Sequence, residues 1–397
     1  MDAVARMLET VHPLEDTQIV DLWHAEDRVL AEDACAAYDY PPFSRSAVDG
    51  YALRAEDIAG ASPESPVRLT VIDEVCAGHV SEKTVTEGTA IRIMTGAPVP
   101  AGADYVLMQE KTRMMEDGRE LMVLSSGGGR DNISPRGEDY TAGTRLLSAG
   151  TRIRAGETAI LAGMGADRVK VFRRPKVVLI TTGDETVQPG VPLTPGKIYD
   201  SNLYTAGSLL RSFGADVIAH ESLPDDPAVV AERLQALAET ADILITTGGV
   251  SVGKKDIMHD VLPLIPAERL FWRIAMKPGM PTLCALAQGK PLICLSGNPY
   301  GVYAGMQLLV RPVIARLAHR GDLVPVRETA VLRQDFSKAS RVTRYLRGVL
   351  QGGAVCLTSG SQDSGNLRSL GGCDCLVEIP AGTEKLPRGT AVTVIPV

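Results

Sequence analysis

Apolar residues follow two alternating patterns through the middle of the chain. Short runs of consecutive apolar residues predict buried strands, and longer stretches with apolar residues every three or four positions predict amphipathic helices. The predicted strands are 176–182, 215–220, 242–247 and 291–295, and the predicted helices are 201–213, 226–240, 301–318 and one that begins near 255. This alternation is typical of parallel βαβ units, so residues 173–320 are expected to form a parallel α/β domain.

The flanking regions carry other patterns. Apolar residues at helical spacing predict that residues 1–40 are helical; they are Ile19, Leu22, Trp23, Val29 and Leu30. Short runs between Gly and Pro predict a β-rich domain at 41–140, inserted in a mixed N-terminal domain formed by 1–40 and 141–172. A separate β domain is predicted at 321–397, with strands 328–333, 341–350, 354–357, 375–379 and 391–396.

Composition narrows the class of protein. The hydrophobic content of 45% and charged content of 22% are ordinary for a folded globular chain. The net charge of −7 and the lack of a long basic run argue against a nucleic-acid surface. No apolar stretch is long enough for a membrane span or a signal peptide, and the seven cysteines include no C-x-x-C pair. A reducing cytoplasm is therefore the expected location.

Three predicted strands end in turns that suit an anionic ligand. The turns lie in the sequences TTGDE, TTGGVSVGKKD and SGNP, and their candidate binding residues are Gly183, Asp184, Gly248, Gly249, Ser251, Ser296, Asn298 and Pro299. Glycine lets backbone N–H groups approach a phosphate, and a following helix adds its dipole. Lys255 stands where a nucleoside-triphosphate loop requires Ser or Thr, so that motif is not complete. One such turn alone is equally consistent with an ordinary structural turn.

Acidic residues near these turns would repel an anion unless a divalent cation lay between them. The candidates are Asp184, Glu185, Asp225, Asp226 and Asp256, and oxygen ligands beside phosphate favour Mg²⁺. Helix capping alone would also explain Asp226, because it stands where a helix is predicted to begin. Lys277 and Arg347 are candidate contacts of an oxyanion. Histidines at zinc-binding spacing and a matched Ser, His and Asp set are both missing from the sequence.

Seven motifs in order carry a family resemblance. They are SAVDGYALR, RIMTGAPVPAGADYVLMQE, PRGEDY, TTGDE, TTGGVSVGKKD, AMKPG and SGNP, and together they span most of the chain. The set resembles the molybdopterin molybdenumtransferase family, which is similar to the E domain of gephyrin. The resemblance implies four domains, including an α/β molybdopterin-binding domain and a barrel-like C-terminal β domain. It also implies a homodimer whose active-site cleft is shared between subunits.

The resemblance implies a reaction and a role for each motif. Adenylylated molybdopterin and molybdate would react to give the molybdenum cofactor, with release of AMP. Gly183, Asp184, Gly248, Gly249 and Ser251 would hold the pterin phosphate, together with the turn that contains Ser296, Asn298 and Pro299. Glu185, Asp226 and Asp256 would organise Mg²⁺, while Asp49, Thr95 and Asp139 would reach the cleft from the partner subunit. The adenylyltransferase of the preceding step and chaperones of molybdoenzymes are the implied protein partners.

One departure from the family pattern concerns the oxyanion. Many relatives read K-P-G-K-P where this chain has Met280 between Gly279 and Pro281, so a cation is missing. We expect the molybdate site to consist of Lys277, Pro281, Arg347, Ser361 and Ser364, with Arg347 carrying more of the binding. Tungstate has the same charge and nearly the same size, so a tungstate-specific insertase is an alternative.

Two other functions remain open at this point. A molybdopterin adenylyltransferase shares the α/β domain, although that activity does not require the flanking β domains. A non-catalytic scaffold, by analogy with gephyrin, would use the same fold to bind a partner's peptide.

Overall fold

The computed structural model describes residues 2–128, 131–250, 257–358 and 362–397. The chain forms two compact units. Unit 1 comprises Met1–Ala31, Gly150–Arg154 and Arg168–Val397, and unit 2 comprises Glu32–Ala149 and Ala155–Asp167. Ser251, Asp256 and Ser361, which the sequence analysis selected, lie outside the described residues.

A six-stranded central sheet organises unit 1. Its strands, in spatial order, are Asp216–Leu223, Lys176–Thr182, Ile243–Thr247, Lys290–Leu295, Leu283–Ala287 and Ala267–Trp272. The first four strands are parallel, which confirms the four strands predicted from the apolar runs. The last two are antiparallel to their neighbours, and the sequence analysis did not predict them.

Helices cover both faces of this sheet. They are Ser201–Ser212, Pro227–Ala238, Ile257–Val261 and a long helical segment that runs from Pro299–Gly305 through a π-helical turn at Met306–Val310 to Arg311–Leu317. Alternate residues of Lys176–Thr182 pack on opposite faces: Leu179 contacts one core cluster and Ile180 the other. Both faces of the strand are buried, which explains its continuous apolar run. The turns that follow the parallel strands consequently emerge at one edge.

The N-terminal region differs from its predicted helix. The helix spans only Asp2–Glu9, and Thr17–Asp21 is a strand that pairs antiparallel with Arg168–Phe172. Ile19 is 69% exposed and Trp23 is 91% exposed, so these residues do not form a buried helical face. The β-branched pair Ile19 and Val20 favours a strand, and a two-stranded ribbon can leave apolar side chains in solvent.

A closed barrel forms the C-terminal region of unit 1. Its five strands are Glu328–Leu332, Thr343–Gln351, Ala354–Leu357, Cys375–Ile379 and Ala391–Pro396. The ring closes because Thr343–Gln351 pairs with both Ala354–Leu357 and Cys375–Ile379. The two-residue strand Met276–Lys277 also pairs with it, alongside Thr343. These pairings confirm the predicted barrel-like domain.

Unit 2 is rich in β structure, as predicted. Its six-stranded sheet contains, in spatial order, Tyr105–Met108, Gly50–Leu53, Thr89–Ile93, Val67–Val75, Glu120–Val123 and Thr112–Met114. Two short pairs accompany the sheet, Arg45–Ser46 with Ile133–Ser134 and Ala34–Cys35 with Arg145–Leu147. The helix Ala155–Gly163 also belongs to unit 2. Among the helices in the described part of the chain, none has the length and apolar character needed to cross a bilayer.

Asp242 is expected to make unit 1 sensitive to acid. Arg173 donates from Nη1 and Nη2 to its carboxylate at 2.5 and 2.9 Å, and the Lys176 N–H donates at 2.7 Å. Burial would raise the pKa of this carboxyl, but these hydrogen bonds lower it below its ordinary value. The ionised form therefore stabilises the fold above about pH 4, and this contribution is lost as the pH falls through the folded-state pKa.

The measurement compares urea unfolding of the wild type with that of Asp242→Asn between pH 3 and 7. At pH 7 the variant should lose about 1.5–3 kcal/mol of unfolding free energy, because charge-assisted hydrogen bonds are weakened. The difference should shrink below pH 4. A difference that stays constant over this range would contradict the assignment.

Candidate functional site

The turn after strand Lys176–Thr182 interlocks with a second turn. The Asp184 N–H donates to Oδ2 of Asp225 at 3.3 Å, and the Asp225 N–H donates to Oδ1 of Asp184 at 3.2 Å. The carboxylate of Glu185 lies over Gly183, where a Cβ atom would meet Glu185 Oε2 at 2.7 Å. Acidic side chains from both turns therefore lie at the carboxyl edge of the sheet.

The turn after strand Ile243–Thr247 requires glycine. Gly248 has a φ of +97°, and a Cβ atom there would meet the carbonyl oxygen of Thr182 at 2.3 Å. The Gly248 N–H donates to the Leu295 carbonyl at 3.0 Å, which ties this turn to the neighbouring strand end. A Cβ atom at Gly249 would meet Ile257 at 2.6 Å. Glycine at both positions therefore lets this turn pack closely against Thr182 and Ile257.

The third turn continues the same edge. A Cβ atom on Gly297 would lie 3.4 Å from the Cα of Gly248, and Asn202 donates from Nδ2 to the Gly297 carbonyl at 2.7 Å. Asn298 precedes the helix Pro299–Gly305, and its side chain makes no capping hydrogen bond. Ser296 is buried beneath this helix start. The predicted residues Gly183, Asp184, Gly248, Gly249, Ser296, Asn298 and Pro299 are therefore brought to one edge.

Buried polar atoms without partners lie at the same edge. Within the described ranges, Thr182 Oγ1, Thr247 Oγ1 and Asn202 Oδ1 are buried and have no hydrogen-bond partner. Buried polar atoms are ordinarily paired, so unpaired ones need an explanation. A polar ligand above the three turns would supply the missing partners.

The acidic residues divide into two kinds. Asp226 accepts from the N–H groups of Ala228 and Val229 at 2.9 and 3.3 Å, so its carboxylate caps the helix Pro227–Ala238. Asp225, another of the acidic candidates named from the sequence, instead faces the Asp184 turn. No group of three potential metal ligands occurs within the described residues, and Asp256 is not among them. The role of Glu185, Asp226 and Asp256 around Mg²⁺ stays a prediction.

Two of the predicted oxyanion residues, Arg347 and Ser364, contact the start of the helix Pro299–Gly305. The exposed Lys277 lies beside Arg344 on the barrel strand, and Met280 and Pro281 follow in the same loop. Ser364 accepts, through its carbonyl, from the Tyr300 N–H at 2.9 Å. The guanidinium carbon of Arg347 lies 4.0 Å from the centre of the Tyr300 ring.

Arg347 is fully buried and already engaged. Its Nη1 donates to the Asn366 carbonyl at 2.8 Å and its Nη2 to the Asp363 carbonyl at 3.1 Å. Burial lowers the pKa of the guanidinium below its ordinary value. In the structure, this side chain holds the segment 362–366 against the start of the helix Pro299–Gly305.

In unit 2, two predicted residues form a local pair. Thr95 donates to Oδ1 of Asp49 from its backbone N–H at 2.8 Å and from its hydroxyl at 2.7 Å. These two hydrogen bonds lower the pKa of the Asp49 carboxyl, the backbone bond more strongly. Asp139 is exposed, and its N–H donates to the Tyr40 carbonyl at 3.0 Å.

Comparison with protein families gives matches along nearly the whole chain. Residues 1–165 match the MoeA N-terminal region (domain I and II), residues 178–316 a probable molybdopterin binding domain, and residues 329–397 the MoeA C-terminal region (domain IV). A molybdopterin molybdenumtransferase of Staphylococcus epidermidis is 38% identical over 99% of this chain and 94% of its own. The chain belongs to the molybdopterin molybdenumtransferase family.

Other relatives support this assignment. A molybdopterin molybdenumtransferase of Staphylococcus aureus is 37% identical over 93% of this chain and 88% of its own. The crystal structure of a molybdopterin biosynthesis moeA protein from Pyrococcus horikoshii has a TM-score of 0.82 and 32% identity, with 100% of this chain and 98% of that chain covered. A molybdenum cofactor biosynthesis protein from Pyrococcus furiosus, at 19% identity and a TM-score of 0.61 with 100% and 98% coverage, shares the fold.

The geometry adds residues to those selected by motif. Asp225, Asn202 and Lys197 contact the strand-end turns, and Lys197 Nζ donates to the Asp184 carbonyl. Of these three, the sequence analysis had named only Asp225, among the acidic candidates. Lys197 lies in the connection before the strand Ile198–Tyr199 and Asn202 at the start of the helix Ser201–Ser212, and no local pattern indicated that either side chain reaches these turns.

Proposed function

We propose that this chain inserts molybdenum from molybdate into adenylylated molybdopterin and releases AMP. The observation that carries the proposal is the meeting of three glycine-containing turns at one sheet edge, beside the unpaired oxygens of Thr182, Thr247 and Asn202. A ligand with phosphate and pterin groups would supply hydrogen-bond partners for these oxygens. The relatives of this chain are also named for this activity, as molybdopterin molybdenumtransferases.

The chain's own groups would bind and orient the reactants. The backbone N–H of Gly249 would face the phosphate, while the Gly248 N–H donates to the Leu295 carbonyl and holds the turn in place. Asp184, Glu185 and Asp225 carry oxygen donors at this edge, and one or two of these carboxylates, together with phosphate oxygens of the substrate, would hold Mg²⁺. When bound, the ion would neutralise charge on the phosphoanhydride. Asp225 is the better candidate than Asp226 on this geometry, because the Asp226 carboxylate is occupied by helix capping.

Molybdate would bind near the start of the helix Pro299–Gly305. Lys277 is exposed there and would supply the positive charge, with Pro281 and Ser364 shaping the site. Arg347 would act through segment 362–366, because its guanidinium is buried and donates to carbonyls of that segment. Four further points remain predictions. They are the contribution of Ser361, the preference for molybdate over tungstate, the cytoplasmic location, and a homodimer whose shared cleft includes Asp49, Thr95 and Asp139.

The test is AMP release by the full chain from adenylylated molybdopterin with Mg²⁺, measured with and without molybdate. Release should depend on molybdate, and Asp225→Asn should slow it on the order of 10–100-fold, as is typical when a group that orients a metal site is lost. Asp226→Asn is the matched control, since asparagine also caps a helix, and its rate should stay close to that of the wild type.

Two outcomes would contradict the proposal. AMP release at the same rate with and without molybdate would favour the adenylyltransferase, and so would ATP consumption that adenylylates molybdopterin. If Asp226→Asn slowed AMP release and Asp225→Asn did not, Asp226 rather than Asp225 would be the metal ligand.

A further inference from the structure

Four arginine side chains line a small cleft of unit 1. They are Arg28, Arg173, Arg174 and Arg320, and Gly214 and Ala318 form part of the same wall. Arg174 lies just before the strand Lys176–Thr182, and Gly214 lies just before the neighbouring parallel strand. The cleft is therefore at the amino edge of the central sheet, whereas the turns of the candidate site are at its carboxyl edge.

The size of the cleft limits what it can hold. The space open to the centre of a water-sized sphere is about 10 Å³. This is enough for one water molecule, and a chloride ion is only slightly larger. A phosphate group or a nucleotide would not fit. The cleft therefore suits a single small species.

Arg28 is buried without a carboxylate partner. It is 7% exposed, and within the described part of the chain it forms no ion pair. Its Nη2 donates to the Phe172 carbonyl at 2.9 Å. In the amide orientation that matches donors with acceptors, the Gln18 oxygen accepts from Nη2 at 2.5 Å and from Nη1 at 2.7 Å. Both partners are neutral, although a buried cation ordinarily has a compensating charge because its desolvation is costly.

Arg174 places a second cation beside Arg28. Among the described residues, its buried Nε atom has no hydrogen-bond partner. Its Nη1 lies 3.9 Å from Oδ1 of Asp216, a long ion pair whose carboxylate is largely exposed. Burial lowers the pKa of Arg28, and the positive charge of Arg174 lowers it further. Two like charges thus lie close together, with one distant carboxylate to compensate them.

The other two arginines of the cleft have carboxylates of their own. Arg173 donates to Asp16 at 2.9 Å and to Asp242 at 2.5 and 2.9 Å. Arg320 donates to Asp322 from Nε at 2.7 Å and from Nη2 at 2.8 Å. The shortage of negative charge is therefore confined to Arg28 and Arg174, and the cleft adjoins both.

We propose that this cleft binds one monovalent anion of the size of chloride. The Nε–H of Arg174 donates to the anion, and the Arg28 guanidinium supplies the second positive charge. The anion ties the N-terminal segment, which contributes Arg28, to the amino edge of the sheet, which contributes Arg174. This inference does not depend on the proposed function, because the cleft is separate from the strand-end turns.

The test measures the broadening of the chloride NMR line by the full chain in potassium gluconate, to which potassium chloride is added. Gluconate maintains the ionic strength and is too large for the cleft. The wild type should broaden the line saturably, and bromide, which has the same charge and a similar size, should reverse the broadening. Arg174→Met should bind chloride about tenfold or more weakly, since one charged hydrogen bond is lost.

Urea unfolding gives a second readout. Chloride should raise the unfolding midpoint of the wild type above its value in gluconate, because a ligand of the folded state stabilises it. Arg174→Met should unfold at the same urea concentration in both salts. Arg174→Lys keeps the positive charge and removes the Nε donor, so it should also bind chloride more weakly. Arg269→Met is the matched control, since Arg269 is exposed on the strand Ala267–Trp272, and it should behave as the wild type.

Three outcomes would overturn the proposal. If the wild type neither broadened the line nor gained stability in chloride, a water molecule would be the occupant of the cleft. Chloride binding that both Arg174→Met and Arg174→Lys leave unchanged would place the anion elsewhere. An equal loss of binding in Arg269→Met would show that chloride responds to surface charge in general.

Discussion

Replacing Gly248 by alanine is expected to abolish molybdate-dependent AMP release and to lower the free energy of unfolding by about 3 kcal/mol or more. The new Cβ would meet the Thr182 carbonyl oxygen at 2.3 Å and the Thr182 hydroxyl at 2.8 Å. The carbonyl belongs to a strand of the central sheet and cannot rotate away, so the turn itself must move. The φ of +97° adds strain for any residue with a side chain.

Gly289→Ala is the matched control for backbone strain. Gly289 also has a positive φ, of +76°, but a Cβ there would meet nothing within 4 Å. This variant should lose about 1–2 kcal/mol from strain alone and retain AMP release. Urea unfolding and the release assay, carried out on both variants, separate the cost of backbone strain from the cost of the Cβ clash with Thr182. A Gly248→Ala protein as stable and active as the Gly289→Ala protein would show that the turn does not need the glycine.

The parallel part of the fold could be predicted because its signals are local. Runs such as Lys176–Thr182 are buried on both faces, so each one is apolar throughout. Glycine at 183 and 248 marked the turns that follow two of these strands, and strand ends of parallel sheets share an edge. The positions of Gly183 and Gly248 at one edge therefore followed from the pattern and the topology together.

The remaining features depend on pairing partners that no local pattern specifies. Leu283–Ala287 and Ala267–Trp272 add antiparallel strands to a sheet that otherwise alternates with helices. Thr17–Asp21 is a strand because Arg168–Phe172, far away in sequence, pairs with it. Helical spacing of Ile19 and Trp23 was misleading, since Ile19 lies in this ribbon and Trp23 in the short 3-10 helix Leu22–His24, and both side chains are exposed.

Individual side chains at the site were harder still to assign. Asp225 and Asp226 are adjacent in sequence, yet one carboxylate faces the Asp184 turn and the other caps a helix. The path of the backbone through that turn determines which carboxylate faces the Asp184 turn and which one caps the helix. Arg347 similarly looked like an oxyanion contact from its charge, whereas its burial and partners are properties of the folded barrel.

Replacing Arg347 by alanine should lower the free energy of unfolding by about 3–5 kcal/mol and raise the molybdate concentration required for AMP release. The change removes a buried guanidinium from the Tyr300 ring and from the carbonyls of Asp363 and Asn366. Those carbonyls would lose a charged donor, and a cavity would remain. Segment 362–366, which adjoins the helix start through the Ser364 carbonyl, would then lose its anchor.

Arg347→Lys distinguishes anchoring from direct contact with the oxyanion. Lysine keeps the positive charge but cannot donate as a planar fork to two carbonyls at once. If Arg347 acts by anchoring segment 362–366, the lysine variant should need nearly as much molybdate as the alanine variant. A lysine variant with the molybdate requirement of the wild type would instead show that a positive charge at this position is sufficient and that it attracts the oxyanion directly. Unfolding curves for both variants show whether each change in the molybdate requirement accompanies the expected loss of stability.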